Sequence, residues 1–249
     1  MDDNLISFLE ENVMPYLPAA IFMLAGIYLL VRFWIIIRKI RDKRLLKTVT
    51  SPKRGTSSER DLVLALLKQG VPSQTIFHDL YVKRPGGNYS QIDVVVATNA
   101  GIIVFEVKDY SGWIFGDGRY TQWTQILAYG KEKYRFYNPI IQNKKHIEDL
   151  RKLLQSCGRI RFFSVVVFYG NCELKEISFV PSGTYLVKST RVHEVMDIIM
   201  NNNDPAQYTD KHKVVRLLKE AVQSGEDESI KTRHVENIKD MLGKHRIFD

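Results

Sequence analysis

The stretch between residues 90 and 110, SQIDVVVATNAGIIVFEVKDY, constrains the fold more strongly than any other part of the sequence. Its two β-branched runs, VVVA and IIVF, are apolar at both alternating positions, which is typical of strands that are covered on both faces. An Asn-Ala-Gly turn separates the runs, so the stretch predicts a hairpin at the centre of a sheet. Asp93, Glu106 and Lys108 lie within this hairpin, although an unpaired charge is costly to bury.

The length of the turn decides whether these charged side chains meet. With a loop of two or four residues, the register sets Asp93 opposite Glu106, with Cβ atoms about 5 Å apart. With a loop of three residues, the register shifts by one position and the two acids do not pair. Lys108 shares the face of Glu106, because side chains two positions apart in a strand point the same way.

Two carboxylates at that separation repel each other unless a cation lies between them or one of them is protonated. Carboxylate and carbonyl oxygens are the ligands that Mg²⁺ prefers, and a lysine beside such an ion can orient or deprotonate a water. Asp93, Glu106 and Lys108 therefore indicate metal-assisted hydrolysis of a phosphodiester. A buried ion pair that serves stability alone, Lys108 with either acid, is the alternative.

A second feature is the apolar segment from Met14 to Ile37, which holds a single charge, Arg32. As a helix it is long enough to cross a hydrocarbon core of about 30 Å. Acidic residues precede the segment and the basic cluster RKIRDKRLLK follows it, which places the C-terminal bulk in the cytoplasm. We expect a single-pass protein of the cell membrane, with residues 38–47 in contact with anionic lipid. A cleaved signal peptide and a buried core helix are the alternatives.

The charge distribution and the cysteines exclude several classes of protein. A large share of the net charge of +8 lies in residues 38–54, which contain eight basic residues and one acidic residue. The charge therefore does not predict a uniformly basic surface on the folded part. Cys157 and Cys172 are the only cysteines, too few for a disulfide framework or a Cys/His zinc site. Neither a phosphate-binding GxxxxGK[ST] loop nor a nucleophile elbow is present, so nothing supports an ATPase or a serine hydrolase.

The remaining patterns predict an α/β fold. A helix, three strands, a helix and a strand follow one another, and this order favours a mixed central sheet flanked by helices. We expect a hairpin turning at residues 116–118, a helix over residues 138–155 and strands at 161–170 and 184–189. The chain is expected to end in helices at 192–202, 212–222 and 230–242. The expected domains are residues 1–37 with the membrane helix, a basic linker at 38–54, a main domain at 55–188 and a helical region at 189–249.

The motifs QID at residues 91–93, FEVKDYSGWI at 105–114 and NPIIQN at 138–143 resemble those of the nuclease-related domain, NERD. This domain is grouped with the PD-(D/E)XK nuclease superfamily. The resemblance covers roughly residues 55–154 and implies a restriction-endonuclease-like fold with a divalent-metal site. It implies Asp93, Glu106 and the carbonyl of Val107 as ligands of Mg²⁺ or Mn²⁺, and Lys108 as the residue that activates or positions water.

The resemblance also implies roles for Glu59 in the first helix and Gln142 in the later helix. Glu59 has another explanation, because Thr56 and Glu59 have the spacing of a capping box. Gln142 falls in the first turn of its predicted helix, where a solvent-exposed polar side chain is equally ordinary. Both residues are therefore candidates with a structural alternative.

These observations lead us to expect a membrane-anchored, divalent-metal-dependent phosphodiesterase that acts on nucleic acid, with DNA as the expected substrate and DNA processing as its role. The main alternative is a catalytically silent module that binds nucleic acid or a partner protein at the membrane. A lipid-bound scaffold, acting through the basic segment and the C-terminal helices, is a third possibility.

Overall fold

The computed structural model describes residues 13–127, 130–227 and 229–232. The helices in this part of the chain are α1 (Leu17–Leu46), α2 (Ser57–Lys68), α3 (Pro139–Leu153), α4 (Val192–Asn201) and α5 (Lys211–Ser224). The strands are β1 (Ile76–Lys83), β2 (Tyr89–Ala97), β3 (Ile102–Asp109), β4 (Gly112–Asp117), β5 (Gln122–Leu127), β6 (Glu132–Tyr137), β7 (Gly158–Arg159), β8 (Phe162–Tyr169), β9 (Cys172–Ser178), β10 (Thr184–Lys188) and β11 (Gln207–Tyr208). Single turns of 3₁₀ helix lie at Met14–Tyr16, Ser73–Thr75, Gln155–Cys157 and Ser189–Arg191.

Contacts divide the chain into a first unit that ends at Leu45 and a second unit that begins at Leu46. Helix α1 contains an 18-residue window with a mean hydropathy of 2.3, and no residue of that window is buried. It is long and apolar enough to cross a membrane, properties that membrane spans share with N-terminal signal sequences. Helix α1 continues through residues 38–46, which were predicted to belong to a linker, and its last turn carries Lys43 and Arg44. Basic side chains there suit the negative end of the helix dipole.

The second unit contains a five-stranded sheet with the order β1-β2-β3-β8-β10. The pairs β1–β2 and β2–β3 are antiparallel, whereas β3–β8 and β8–β10 are parallel. The predicted hairpin register is confirmed, because Val94 pairs with Phe105 and Ala97 pairs with Ile102. The two-residue loop is closed by a hydrogen bond of 2.8 Å from the Thr98 N–H to the Gly101 carbonyl.

Helices cover this sheet, so the predicted α/β class with a mixed sheet is confirmed. Ile147 and Leu150 of α3 pack with Leu218 of α5 against Val95 and Val104 in one apolar cluster. Helix α2 contacts strands β1, β2 and β3, and its apolar residues Leu62, Val63, Leu66 and Leu67 are buried. Burial on both sides explains why the central strands β2 and β3 are apolar at both parities.

A second sheet has the order β6-β5-β4-β9, and this sheet was only partly predicted. Strands β4 and β9 continue the parallel pair β3–β8 in the same register, since Asp109 pairs with Tyr169 and Gly112 pairs with Cys172. The backbone bends between the two sheets at Gly112, whose φ is +76° and where a Cβ would lie 2.2 Å from the Ile126 carbonyl oxygen. The predicted hairpin corresponds to β4 and β5, but its turn lies later, at residues 118–121. Strands β6 and β9 were not predicted.

The helices predicted at 192–202 and 212–222 correspond to α4 and α5. Of the helix predicted at 230–242, residues 233–242 lie outside the part of the chain that the structure describes.

Candidate active site

Strands β1 and β2 are distorted at the same level of the main sheet. Their pairing leaves out Asp79 and Asp93, which lie opposite each other between paired neighbours. Asp79 adopts a left-handed backbone conformation, with φ of 56°, which is uncommon outside glycine. Phe77 and Leu80 lie in one apolar cluster although they are three positions apart, and this cluster also includes both Ile92 and Val95. Regular strands turn such residues to opposite faces, so both strands change face at this level.

Asp93 occupies the gap that this distortion opens beside β3. The pairing of β2 with β3 ends at Val94 and Phe105, one position before Asp93 and Glu106. Instead of a backbone carbonyl, the Asp93 carboxylate oxygen Oδ2 accepts the Val107 N–H at 2.7 Å. The aspartate side chain therefore replaces a strand partner, and this hydrogen bond holds it next to Glu106.

Glu106, Lys108 and Gln142 meet on the face of the sheet that α3 covers. The Lys108 ammonium Nζ lies 2.6 Å from the Glu106 carboxylate oxygen Oε1 and donates a hydrogen bond of 3.0 Å to the Gln142 carbonyl oxygen Oε1. Glu106 is almost fully buried, whereas the side chain of Lys108 is 16% exposed. The structure thus brings together four of the predicted site residues, Asp93, Glu106, Lys108 and Gln142.

The NPIIQN motif positions Gln142 through its first asparagine. Asn138 caps α3 by accepting hydrogen bonds from the Ile140 and Ile141 N–H groups. Its Nδ2 donates to the carbonyl oxygens of Asp117, Gly118 and Tyr120. Because Asn138 is fully buried, these bonds fix the start of α3 against the β4–β5 turn. One turn into the helix, Gln142 reaches the site.

His146 was not predicted as a site residue, because the sequence around it holds no metal-binding histidine motif. It lies one helical turn after Gln142, and its Nε2 is 3.3 Å from the Glu106 oxygen Oε2. Its Nδ1 is 2.9 Å from the hydroxyl of Ser90. Neither His146 Nε2 nor Glu106 Oε2 has an aligned hydrogen bond in the described part of the chain. The spacing of four residues between Gln142 and His146 was the available signal, since such residues share a helix face.

Glu59 lies in the capping box that was its structural alternative. Its Oε1 accepts hydrogen bonds from the backbone N–H and the hydroxyl of Thr56, at 3.2 and 2.8 Å. Its other oxygen, Oε2, lies 3.2 Å from His78 Nε2, and His78 Nδ1 lies 2.7 Å from the Thr50 hydroxyl. Burial acts to raise the pKa of Glu59, but the hydrogen bonds with His78 and Thr56 outweigh it and lower the pKa. A catalytic role for Glu59 stays a prediction.

The QID motif also has a structural basis in the distorted level of the sheet. Gln91 Nε2 donates a hydrogen bond of 2.8 Å to the Asp79 oxygen Oδ1. The Arg54 guanidinium donates from Nε to Asp79 Oδ2 at 3.3 Å and from Nη2 to the Asp79 carbonyl at 2.7 Å. Arg54, which was predicted to belong to the linker, therefore packs into the second unit and supports the unusual conformation of Asp79.

The acidic groups of the site differ in their affinity for a proton. Burial, followed by the negative charges of Glu106 and Glu59, raises the pKa of Asp93 well above its ordinary value. Burial also acts to raise the pKa of Glu106, but Lys108 and His146 outweigh it and lower the pKa. The pKa of Lys108 is raised, because Glu106 and Asp93 outweigh the opposing effect of burial. In the absence of an ion, Asp93 therefore keeps its proton to a higher pH than an exposed aspartate does.

The donor set is compatible with a hard divalent cation. Across residues 13–127, 130–227 and 229–232, no three His, Cys, Asp or Glu side chains form a cluster that could hold a metal. An ion here would depend on the carboxylates of Asp93 and Glu106 together with the Val107 carbonyl, all of them oxygen ligands. Glu106 Oε2 is a buried oxygen without a hydrogen bond of good geometry, so it has a lone pair to offer.

Comparisons with known proteins point to one family. The model of the nuclease-related domain, NERD, matches residues 54–169. An uncharacterized protein of Bacillus anthracis is 28% identical over 170 residues, which cover 68% of this chain and 72% of that protein. No solved structure matches the chain.

Proposed function

We propose that the chain, whose residues 54–169 match the model of the nuclease-related domain, is a divalent-metal-dependent phosphodiesterase that acts on nucleic acid. The observation that carries the proposal is the meeting of Asp93, Glu106, Lys108 and Gln142 at one point beside β3. Two acids, a lysine and an amide suit hydrolysis of a phosphodiester, because this reaction needs charge stabilisation and an oriented water. We propose DNA as the substrate.

In this proposal, Asp93, Glu106 and the Val107 carbonyl would hold Mg²⁺ or Mn²⁺. The bound ion would supply a water of lowered pKa and neutralise charge on the phosphate. An ammonium group has three donors, and Lys108 uses two of them on Glu106 and Gln142. The third is available to a phosphate oxygen or to the attacking water. His146 contacts Glu106 on the side away from Lys108 and so limits its movement.

We also propose that α1 anchors the domain to the cell membrane, with the second unit in the cytoplasm. The apolar helix and the basic residues that follow it support this orientation, since cytoplasmic flanks are enriched in lysine and arginine. A tethered nuclease would act on nucleic acid that lies close to the membrane.

The test is cleavage of labelled DNA and RNA by the full chain in detergent micelles, with Mg²⁺, with Mn²⁺ and with a chelator. We expect metal-dependent cleavage of DNA that Lys108→Met and Glu106→Gln each reduce by at least about 100-fold, because each removes a group that acts on the reacting atoms. Lys219→Met and Glu220→Gln make the same changes on the exposed face of α5 and should leave the rate unchanged. Equal rates in wild type and both site variants, or no cleavage with either ion, would refute the proposal.

One observation favours the catalytically silent module as a second candidate. Glu106 already has Lys108 and His146 as partners, so the site is electrostatically balanced without an ion. A silent module would bind no Mg²⁺ or Mn²⁺ in calorimetry and would bind nucleic acid or its protein partner equally well after Asp93→Asn. The enzyme should bind the ion, and Asp93→Asn should weaken that binding.

A further inference from the structure

A cavity of about 620 Å³ lies at the end of the main sheet opposite the candidate active site. It is lined by the C-terminal turn of α3, by β7 and the start of β8, and by the segment at residues 204–207. Three arginines line it, Arg151, Arg159 and Arg161, and all three are exposed. Asp204 is the one acid among its described lining residues, so the cavity carries an excess of positive charge.

Arg151 and Arg161 make only weak contacts, among them a hydrogen bond of 3.5 Å from Arg161 Nη1 to the Asp204 carbonyl oxygen, so their guanidinium groups stay available to an anion. Arg151 lies over the ring of Phe162, with the guanidinium carbon 5.0 Å from the ring centre. Arg161 lies 3.8 Å from the Asp204 carboxylate, a distance too long for a strong hydrogen bond, and the Asp204 side chain is 92% exposed. An exposed ion pair of this kind contributes little free energy, and planar guanidinium groups match the oxygens of a phosphate.

Basic side chains connect this cavity with the candidate active site along α3. Lys144 and Lys145 are exposed on α3 between Gln142 and the cavity, and Lys152 is exposed next to Arg151. Of the two acids in this stretch, Glu148 is exposed, whereas Asp149 is buried and bonded to Arg84. They extend the charge of the cavity toward Lys108, which contacts Gln142. A polyanion that reached both places would meet a net positive charge along the exposed side of α3.

Two independent elements give the same separation between the active site and the cavity. Along α3, the nine residues from Gln142 to Arg151 correspond to about 13 Å at about 1.5 Å per residue. Along β8, Glu106 pairs with Val166, and the four residues back to Phe162 also correspond to about 13 Å. A duplex whose axis ran in this direction would advance by about four nucleotides of one strand over this distance, at about 3.4 Å of helix axis for each nucleotide.

We propose that the arginine cavity binds a backbone phosphate of the nucleic-acid substrate about four nucleotides from the phosphodiester at Lys108. This inference rests on the proposed function for the identity of the scissile bond, but the phosphate interaction itself requires no cleavage. The site would read charge and spacing rather than sequence, because phosphate contacts position a substrate without reading its bases.

The test measures binding without catalysis. The full chain in nonionic detergent micelles is titrated into fluorescein-labelled duplex DNA and single-stranded DNA in a chelator, over a range of salt concentrations. We expect the double variant Arg159→Ala/Arg161→Ala to bind the duplex about tenfold more weakly. The slope of log K against log salt should become shallower by about 1 for each phosphate that the variant no longer neutralises. Arg216→Ala/Lys219→Ala removes the same two charges from the exposed face of α5, which does not line the cavity, and should leave the slope unchanged.

The outcomes separate this inference from the proposed function. If the wild type binds DNA but never cleaves it, and the double variant flattens the slope, the phosphodiesterase proposal fails and the phosphate site stands. If the wild type cleaves DNA and the double variant binds with an unchanged slope, the phosphate site is refuted and the activity stands. The phosphate site is also refuted if the double variant binds DNA as the wild type does but binds vesicles of anionic lipid more weakly, because the cavity would then face a membrane.

Discussion

Asp93 and Glu106 are neighbouring carboxyl groups whose pKa values shift in opposite directions. The difference arises from their partners. Glu106 has Lys108 within 2.6 Å and His146 within 3.3 Å, whereas Asp93 accepts its hydrogen bond from the neutral backbone N–H of Val107. Both groups are buried, and since one lysine cannot compensate two adjacent carboxylates fully, the group with the poorer partner is the one whose pKa is raised.

The raised pKa of Asp93 has a consequence for stability. Between its ordinary pKa of about 3.9 and the higher folded value, the folded protein binds more protons than the unfolded chain, so stability falls as the pH rises. Asparagine at this position cannot ionise. In a chelator, we therefore expect Asp93→Asn to be more stable than the wild type at neutral pH, with a difference that disappears as the pH falls toward about 4. Urea unfolding across this pH range measures it.

Asp117 provides a control of opposite sign. Hydrogen bonds from Arg119 hold the pKa of Asp117 below its ordinary range. The ionised Asp117 therefore stabilises the folded protein at neutral pH, and this stabilisation is lost as the pH falls. Asp117→Asn should therefore be less stable than the wild type at neutral pH and equal to it in strong acid. A decrease in stability at neutral pH for both variants would contradict the account of Asp93.

At the residue scale, the sequence predicted which side chains lie close together where local geometry determines it. Asp93, Glu106 and Lys108 follow from the loop length and from the alternation of side chains along a strand, which are short-range properties. The contacts of His146 with Ser90 and of Arg54 with Asp79 join residues far apart in the chain. Such contacts depend on how elements pack, and no local pattern encodes them.

At the scale of elements, the bend between the two sheets depends on Gly112. An alanine at this position would destabilise the fold in two ways. It would have to adopt the left-handed φ of +76°, and its Cβ would lie only 2.2 Å from the Ile126 carbonyl oxygen. Gly86 has φ of +87°, with nothing within 4 Å of the position that a Cβ would occupy. We expect Gly86→Ala to cost about 1 kcal/mol and Gly112→Ala about 3 kcal/mol of the free energy of unfolding. Chemical denaturation of both variants compares them directly, and equal costs would show that the bend tolerates a side chain.

The two unpredicted strands of the second sheet, β6 and β9, share one property. Their sequences, EKYRFY and CELKEIS, are largely exposed in the structure and alternate between apolar and polar residues over only about four positions, a weak strand signal. Both lie at the edges of the second sheet, where pairing with a neighbour rather than burial stabilises them. The central strands of the main sheet were predictable for the opposite reason. Because they are buried on both faces, their sequences are continuously apolar.

At the scale of the whole molecule, the folded unit begins at Leu46, before residue 55, where the main domain was predicted to start. The Arg54 guanidinium donates to the Asp79 carboxylate, the Asp79 carbonyl and the Val222 carbonyl, and Thr50 contacts buried His78. A fragment that begins at Gly55 lacks all of these bonds. We expect it to be about 3 kcal/mol less stable than a fragment that begins at Leu46, because buried Asp79 is left without its charged partner.

Denaturation of the two fragments measures this difference, and point variants of the full chain isolate its cause. Arg54→Ala should account for a large part of the decrease, whereas Lys53→Ala, which removes an exposed charge one residue earlier, should cost less than about 0.5 kcal/mol. Equal stability of the two fragments would place the boundary at Gly55.

The proposed anchor predicts how the full chain fractionates in cells. Because a spanning helix buries its apolar side chains in lipid, we expect the full chain to stay with the membrane through alkaline carbonate extraction. Deletion of residues 14–37 should release it. N-terminal sequencing of the extracted protein distinguishes an anchor, which retains residues 1–37, from a cleaved signal sequence, which loses them.

Arg54 also joins the start of the second unit to the helix α5 near its end, since it contacts Val222 of α5 and Glu226 just beyond. The chain thus enters this unit and leaves α5 at neighbouring points, as in domains that tolerate circular permutation. A unit built in this way can be moved as a cassette between other polypeptide segments, because the flanking chains need to bridge only a short gap.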